Sequence, residues 1–470
     1  MAKTIGREKE LSTLKKAIES DKSELIAIYG RRRIGKTFLI REAYKDETIF
    51  DVTGVPDGNY QEQLSNFHKK IIGRTKSLAN NEVPSDWQEA FDLLSQYIEK
   101  LRSVKKKVLF IDEFPWMHTQ RSKFISFFAH FWNDYCTKRS DLVVVICGSA
   151  ASFMINKVIK DKKGLHNRIT HRIRLSPFNL YETKEFLKSK RVNLSDYDYL
   201  QIYMAMGGVP YYLEKIQPGD SVATAINRLC FSENAFLGEE FDDLFTSLFD
   251  NSHNHEKIVK ELSKTSKGLT RSQIVEKTGI GSGGRLTTYL KELSESGFIS
   301  IYKPLDKKVK ETLYKLSDEY SLFYIKFIKD NNGSDWATLF SSRSYVSWSG
   351  FAFEILCLKH VDQIKKELKI GAVATKNSTW RNENAQIDLV IDRADNVINL
   401  CELKFYNQEF TITKKYKEDL INKKAEFSKD MSTRKNLFTT MVTTYGVKRN
   451  KHSDEVMDVE VKTSCLFEKP

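Results

Sequence analysis

Apolar positions follow different rhythms in different parts of the chain. Leu25–Tyr29, Val108–Ile111 and Leu142–Cys147 are short, nearly continuous apolar runs, the pattern of strands buried on both faces. Phe38–Ala43 continues the first of them as a helix, and strands alternating with helices over residues 1–180 predict a parallel sheet sandwiched by helices. From Tyr181 to about Glu240 the period is helical, including Tyr199–Met206 and Val222–Leu229, and Phe231–Asp250 reads as a helical connector. From His255 three short helices follow, Glu256–Lys264, Arg271–Thr278 and Gly284–Ser296, then two strands, Gly297–Tyr302 and Glu311–Leu316. Three helices and a hairpin predict a winged helix, with the turn Gly279–Ser282 standing before its recognition helix. A helix at Gly350–Cys357, strands at Ile387–Ile391 and Asn399–Phe405, a helix at Ile412–Phe427 and a strand at Leu437–Val442 predict a last α/β domain. The expected division is 1–180, 181–250, 251–318 and 319–470.

The first strand runs into Gly30-Arg31-Arg32-Arg33-Ile34-Gly35-Lys36-Thr37, the G-x-x-x-x-G-K-[ST] phosphate-binding loop, or Walker A motif. Gly30 and Gly35 let the backbone curl so that N–H groups point at a β-phosphate. Lys36 supplies a compact charge to the β/γ-phosphates, and the Thr37 hydroxyl can bind Mg²⁺. The helix opening at Lys36-Thr37-Phe38 adds its positive end. Arg31, Arg32 and Arg33 either meet phosphate or a partner, or form a solvated basic loop. Asp112, ending the second apolar run, is placed to hold Mg²⁺ through its water shell, and Glu113 to polarise the attacking water. If the Leu142 strand lies between the other two, Ser149 faces the γ-phosphate or the lytic water. A nucleoside triphosphate and Mg²⁺ are therefore the expected ligands.

Walker A, an Asp-Glu Walker B and a strand ending Gly148-Ser149 resemble the AAA+-type ATPases, and more narrowly the archaeal-type ATPase family. Gly6-Arg7-Glu8-Lys9-Glu10-Leu11 resembles that family's N-terminal G-R-x-x-E-L signature, and Gly207-Gly208-Val209-Pro210-Tyr211-Tyr212-Leu213 the G-G-x-P-x-Y-L turn of its helical lid. Asn167-Arg168, before Ile173–Phe178, resembles the segment carrying its arginine. Arg168 could be a trans-acting finger, a cis sensor or a surface arginine beside Lys162, Lys163 and His166. The resemblance implies ATP as the nucleotide, and an arginine finger implies a homo-oligomer.

A second chemical signal lies near the C-terminus. Glu354 is one acid on an apolar helix, and Asp388 and Glu402 stand inside apolar strands. An acid there is costly unless it meets a cation or a base. Glu402 and Lys404, two apart on a strand, share a face. Asp388 and Glu402 could hold Mg²⁺ with the Leu403 carbonyl, while Lys404 orients or deprotonates a water attacking a phosphodiester. Alternatively Lys404 forms a buried salt bridge without catalysis. The set resembles the PD-(D/E)xK nuclease superfamily: helix acid Glu354, metal acids Asp388 and Glu402, and lysine Lys404. Gln386-Ile387 stands before Asp388 where many members carry proline. Together the resemblances imply an α/β protein: a P-loop parallel-sheet ATPase core, a helical lid, a winged helix and a restriction-endonuclease-like domain.

Composition narrows the partners. Among 470 residues, 75 Lys and Arg against 62 Asp and Glu give a formal charge of +13, which favours a polyanion such as DNA. On the winged helix, Arg285, Thr287, Thr288 and Lys291, with Lys303, Lys307, Lys308 and Lys310 at the wing tip, suit phosphate contacts. The six cysteines form no C-x-x-C pair and read as reduced thiols of a soluble, cytoplasmic protein. No apolar run approaches a membrane span. Two functions are expected: an ATPase coupled to a Mg²⁺-dependent DNA nuclease, or a nucleotide-gated DNA-binding or signalling switch whose nuclease-like domain is silent.

Overall fold

The computed structural model describes residues 4–74, 82–101, 106–160, 164–249, 252–303, 312–331, 333, 335–340 and 342–469. The chain divides into two compact units, Met1–Ser176 and Pro177–Pro470.

The first unit is built on β1 (Glu24–Tyr29), β2 (Thr48–Thr53), β3 (Lys107–Asp112), β4 (Leu142–Gly148) and β5 (His171–Arg174). All pairings are parallel, in the order β2-β3-β4-β1-β5. Every residue of β3 and β4 is buried, as their unbroken apolar runs require. Alternate side chains of each strand feed opposite cores. Ile26, Ile28, Val143 and Val145 pack with Leu14, Leu39 and Tyr44 on one face, while Leu25, Ala27, Val144 and Ile146 meet Phe67, Trp87, Phe91 and Phe128 on the other. β4 lies between β1 and β3, so the C-terminal ends of all three lie side by side at one edge of the sheet.

The second unit opens with the helices Leu180–Ser189, Asp196–Met206 and Glu240–Leu248. Next come the helices His253–Leu262, Arg271–Thr278 and Gly284–Glu295, with β6 (Leu269–Thr270), β7 (Ile299–Tyr302) and β8 (Leu313–Leu316) in an antiparallel sheet of order β6-β8-β7. A capping box between Thr270 and Gln273 starts the middle helix, and Gly279, at φ 69°, ends it. The result is a winged helix. Lys307, Lys308, Lys310 and Glu311 lie outside the described residues, as do Lys162 and Lys163.

After the helix Arg343–Lys359 comes a larger sheet. Its strands are β9 (Thr375–Arg381), β10 (Gln386–Arg393), β11 (Val397–Lys404), β13 (Asn436–Thr443) and β15 (Val459–Lys462), in the order β15-β13-β11-β10-β9. β10 runs antiparallel to both β9 and β11, and β13 and β15 extend the sheet beyond β11 in parallel. The helix Lys414–Met431 joins β11 to β13, and β12 (Phe410–Thr411) pairs with β14 (Val447–Lys448) beside it. One continuous apolar core runs from Phe178 to Phe467, so the helical stretch, the winged helix and the last sheet share an interior. Its centre is an aromatic nest of Phe323, Phe327, Trp336, Tyr345 and Trp348. Among the described residues no helix is long and apolar enough to cross a membrane, and the six cysteines are buried free thiols.

Candidate functional site

The loop after β1 has the backbone that its glycines permit. Gly35 sits at φ +86° with open space around it, and Gly30 at φ +152°, where an added Cβ would lie 2.3 Å from the Leu175 carbonyl oxygen. Lys36 opens its helix, and its Nζ donates to the carbonyls of Gly30 at 2.9 Å and Arg31 at 2.8 Å. The ammonium is thus held inside the loop, where a phosphate would exchange for the carbonyls. Thr37 Oγ1 donates to Asp112 Oδ2 at 2.8 Å, so residues 75 apart in sequence meet as a hydroxyl–carboxylate pair. That pair and the open Gly35 cradle suit a Mg²⁺-bound triphosphate. Phe38 is half exposed on the same helix, and Ile34 is buried behind the loop.

The arginines separate in a way the sequence did not show. Arg31 is buried and not solvated, Arg33 takes a left-handed φ of 68°, and Arg32 lies 5.9 Å from the ring centroid of Trp116. Arg7 of the N-terminal signature is buried too, its Nη2 donating to the Ile34 carbonyl at 3.2 Å and bracing the loop from behind.

Glu113 follows Asp112 with φ 45°. Its Oε2 accepts from Ser149 N at 3.0 Å and Ser149 Oγ at 2.8 Å. Ser149 therefore holds the carboxylate of the expected base. Arg168 is exposed in the turn before β5, its backbone N–H bonded to the Leu165 carbonyl.

In the second unit the four expected residues gather at one end of the last sheet. Asp388 Oδ2 accepts the Leu403 N–H at 3.0 Å, joining β10 to β11. Lys404 Nζ lies 3.6 Å from Glu402 Oε2. That oxygen also accepts from Tyr416 Oη at 3.0 Å and Lys423 Nζ at 2.8 Å, both on the helix Lys414–Met431. Glu354 comes from the helix Arg343–Lys359, and Lys315 Nζ of β8 stands 3.7 Å from its Oε2. Burial, then the Asp388 charge, push the Glu354 carboxyl up to about 8, against the pull of Lys315 and Lys404. The same two causes raise Glu402, opposed by Lys423 and Lys404. Glu354 Oε2 and Glu402 Oε1 are buried and accept no hydrogen bond among the described residues.

These orphaned oxygens, three carboxylates and no soft ligand suit a hard divalent cation in kind. Their present spacing is that of lysine partners: among the described residues no three His, Cys, Asp or Glu side chains converge as a metal cluster. Lys315, Tyr416 and Lys423 were not found from sequence. The only available signal was Lys315 itself, a cation inside the strand Leu313-Tyr314-Lys315-Leu316.

Loop, strand order and the Thr37–Asp112 pair define a P-loop ATPase domain. Residues 5–216 match the family model described as an ATPase domain predominantly from Archaea. An uncharacterized protein of Methanocaldococcus jannaschii is 27% identical over 428 residues, 89% of this chain and 91% of its own. An uncharacterized ATP-binding protein of the same organism is 40% identical over 45 residues, 10% of this chain and 76% of its own. Among solved structures, a Walker-type ATPase of Pyrococcus abyssi aligns at a TM-score of 0.50 and 18% identity, covering 69% of this chain and 96% of that one. That likeness shows a shared fold.

Proposed function

We propose that this ATPase is coupled to a Mg²⁺-dependent DNA nuclease of PD-(D/E)xK type in the second unit. In the nucleotide site Lys36 and the loop amides, from Gly30 to Thr37, hold the phosphates of ATP, and Phe38 lies beside them at the start of the helix. Thr37 and Asp112 would hold Mg²⁺, which neutralises charge on the β- and γ-oxygens when bound. Glu113, once released from Ser149, accepts the proton of the attacking water. Arg168, exposed before β5, suits reaching the nucleotide of a second copy of the chain.

In the second site Asp388, Glu402 and Glu354 would hold Mg²⁺, whose chemistry there is to lower the pKa of a water and clamp the scissile phosphate. Lys404 orients that water. DNA reaches the protein through the winged helix, whose recognition helix exposes Arg285, Thr287 and Thr288, with Lys303 exposed on the wing. The observation that carries the proposal is the gathering of Glu354, Asp388, Glu402 and Lys404 with two buried oxygens unsatisfied. The antiparallel β9-β10-β11 core, with its acids on β10 and β11, supports it.

A second reading, a nucleotide-gated switch with a silent C-terminal domain, is favoured by the two groups that already occupy Glu402 Oε2, Tyr416 and Lys423. Mg²⁺-dependent cleavage of plasmid DNA, with and without ATP, separates the two. Cleavage lost in Lys404→Ala, and losing its ATP dependence in Lys36→Ala, supports the coupled nuclease. ATP hydrolysis without cleavage under any condition supports the switch.

A further inference from the structure

We infer that the winged helix is an inhibitory clamp on the carboxylate cluster, with Lys315 standing where the cluster's cation would stand until the β7–β8 hairpin shifts. The inference rests on the proposed assignment of Glu354, Asp388 and Glu402 to a divalent cation.

Lys315 is 3% exposed, and a lysine is rarely buried without a specific partner. Its ammonium faces Glu354 Oε2 at 3.7 Å, too far for a hydrogen bond, and that oxygen accepts none. The pair neutralises charge while leaving the oxygen unsatisfied, so a cation able to approach more closely would displace the lysine. Two positive charges cannot share the space, and binding of one is linked to departure of the other. Ile299 and Leu316 anchor the hairpin in the continuous apolar core, so the shift required is a local one at Lys315. Beside Lys315 a small cavity between the hairpin and the Glu354 helix is lined by Ser300, Tyr302, Lys315, Phe351, Glu354 and Leu358. Polar bonds from β9 also hold the winged helix: Arg381 donates to the Gly268 carbonyl at 2.9 Å and to Gln273 Oε1 at 3.1 Å, and Ser378 Oγ to the Lys303 carbonyl at 2.9 Å. Such bonds exchange for water at small net loss.

The test is Mn²⁺ binding, followed by electron paramagnetic resonance of the free ion, on the nucleotide-free full chain. An Asp112→Asn background silences the nucleotide site. Lys315→Met should bind Mn²⁺ about tenfold more tightly than this parent, as expected on removing a close competing charge. Adding Asp388→Asn should abolish the gain, and Arg381→Ala, which loosens the fastening alone, should tighten binding by a smaller factor. If Lys315→Met binds no more tightly while Asp388→Asn still abolishes binding, the clamp is wrong and the cation site stands. No Mn²⁺ binding that depends on Asp388, with or without Lys315, overturns the cation site and the clamp together. Should Lys315→Met fail to fold, by its thermal transition, Arg381→Ala decides: unchanged affinity overturns the clamp.

Discussion

Acid should loosen the second unit at one identifiable residue. His360 is 1% exposed at the end of the helix Arg343–Lys359. Its Nδ1 donates to the Leu356 carbonyl at 2.7 Å, and its Nε2 accepts the Leu180 N–H at 2.9 Å. Leu180 begins the helix Leu180–Ser189, so the imidazole satisfies an amide that has no partner within its own helix. Protonation would set an N–H against that N–H. Burial lowers the His360 pKa, the Leu356 bond raises it and Lys359 lowers it, bringing it to about 4 from an ordinary 6.5. Between these values the unfolded chain binds the extra proton and the folded one does not, so stability rises with pH. The contribution is complete above the unfolded value and is lost as pH falls toward the folded one. The full span is worth about 3 kcal/mol. From about pH 7 to about pH 5 the loss is roughly 2 kcal/mol, near a 20-fold change in local opening. Hydrogen exchange of peptides covering residues 177–190, corrected for intrinsic rates, reads that opening directly. His360→Gln, which cannot titrate, should flatten the excess pH dependence. An equal pH response in variant and parent would refute the assignment.

Two further predictions concern the nucleotide site. Gly30→Ala should destabilise the first unit by about 1–3 kcal/mol, because its Cβ meets the Leu175 carbonyl and its φ is positive. Thermal unfolding with an unshifted midpoint would show that the loop backbone yields. Glu113→Gln should keep ATP binding and slow hydrolysis by roughly 10²–10⁴-fold, the range for a lost general base. Single-turnover hydrolysis at the parental rate would remove Glu113 from that role.

What the sequence disclosed was whatever one segment settles by itself. The runs at Leu25, Val108 and Leu142 became central strands because only a doubly covered sheet accepts unbroken apolar residues. The helix Arg271–Thr278 has its expected limits because Thr270 is a local start signal and Gly279 a local stop signal. β9 escaped notice: Thr-Lys-Asn-Ser-Thr-Trp-Arg is an edge strand, paired on one side only and largely polar. β15 was missed for the same reason of position, being the opposite edge. The candidate acids were legible because a carboxylate inside an apolar run is anomalous wherever it lies. Their partners were not. Lys315 meets Glu354 and Lys423 meets Glu402 only after distant segments pack, and neither lysine belongs to a motif.

The Gly207-Gly208 turn shows how a motif suggestive of nucleotide chemistry can be demanded by packing. A Cβ on Gly208 would lie 1.8 Å from the Phe178 carbonyl oxygen, and Gly207, at φ +64°, would bring one to 3.0 Å from Glu319 Oε2. Glu319 is buried and receives Lys359 Nζ at 2.6 Å. Burial raises its carboxyl and Lys359 opposes the rise, so removing that lysine would leave a buried acid unpaired. Lys359 and His360 end the helix that carries Glu354, little more than one turn away. The helical stretch from Leu180 to Leu213 therefore meets the element that supplies one acid of the cluster in two places, packing against Glu319 at Gly207 and bonding His360 through the Leu180 amide. An α-helix moves over one turn as a rigid body, so a displacement of the Gly207 turn that carries Glu319 and Lys359 with it must also move Glu354. Within the second unit, Glu319 and its partner Lys359 thus lie between the glycine turn and the helix that carries Glu354.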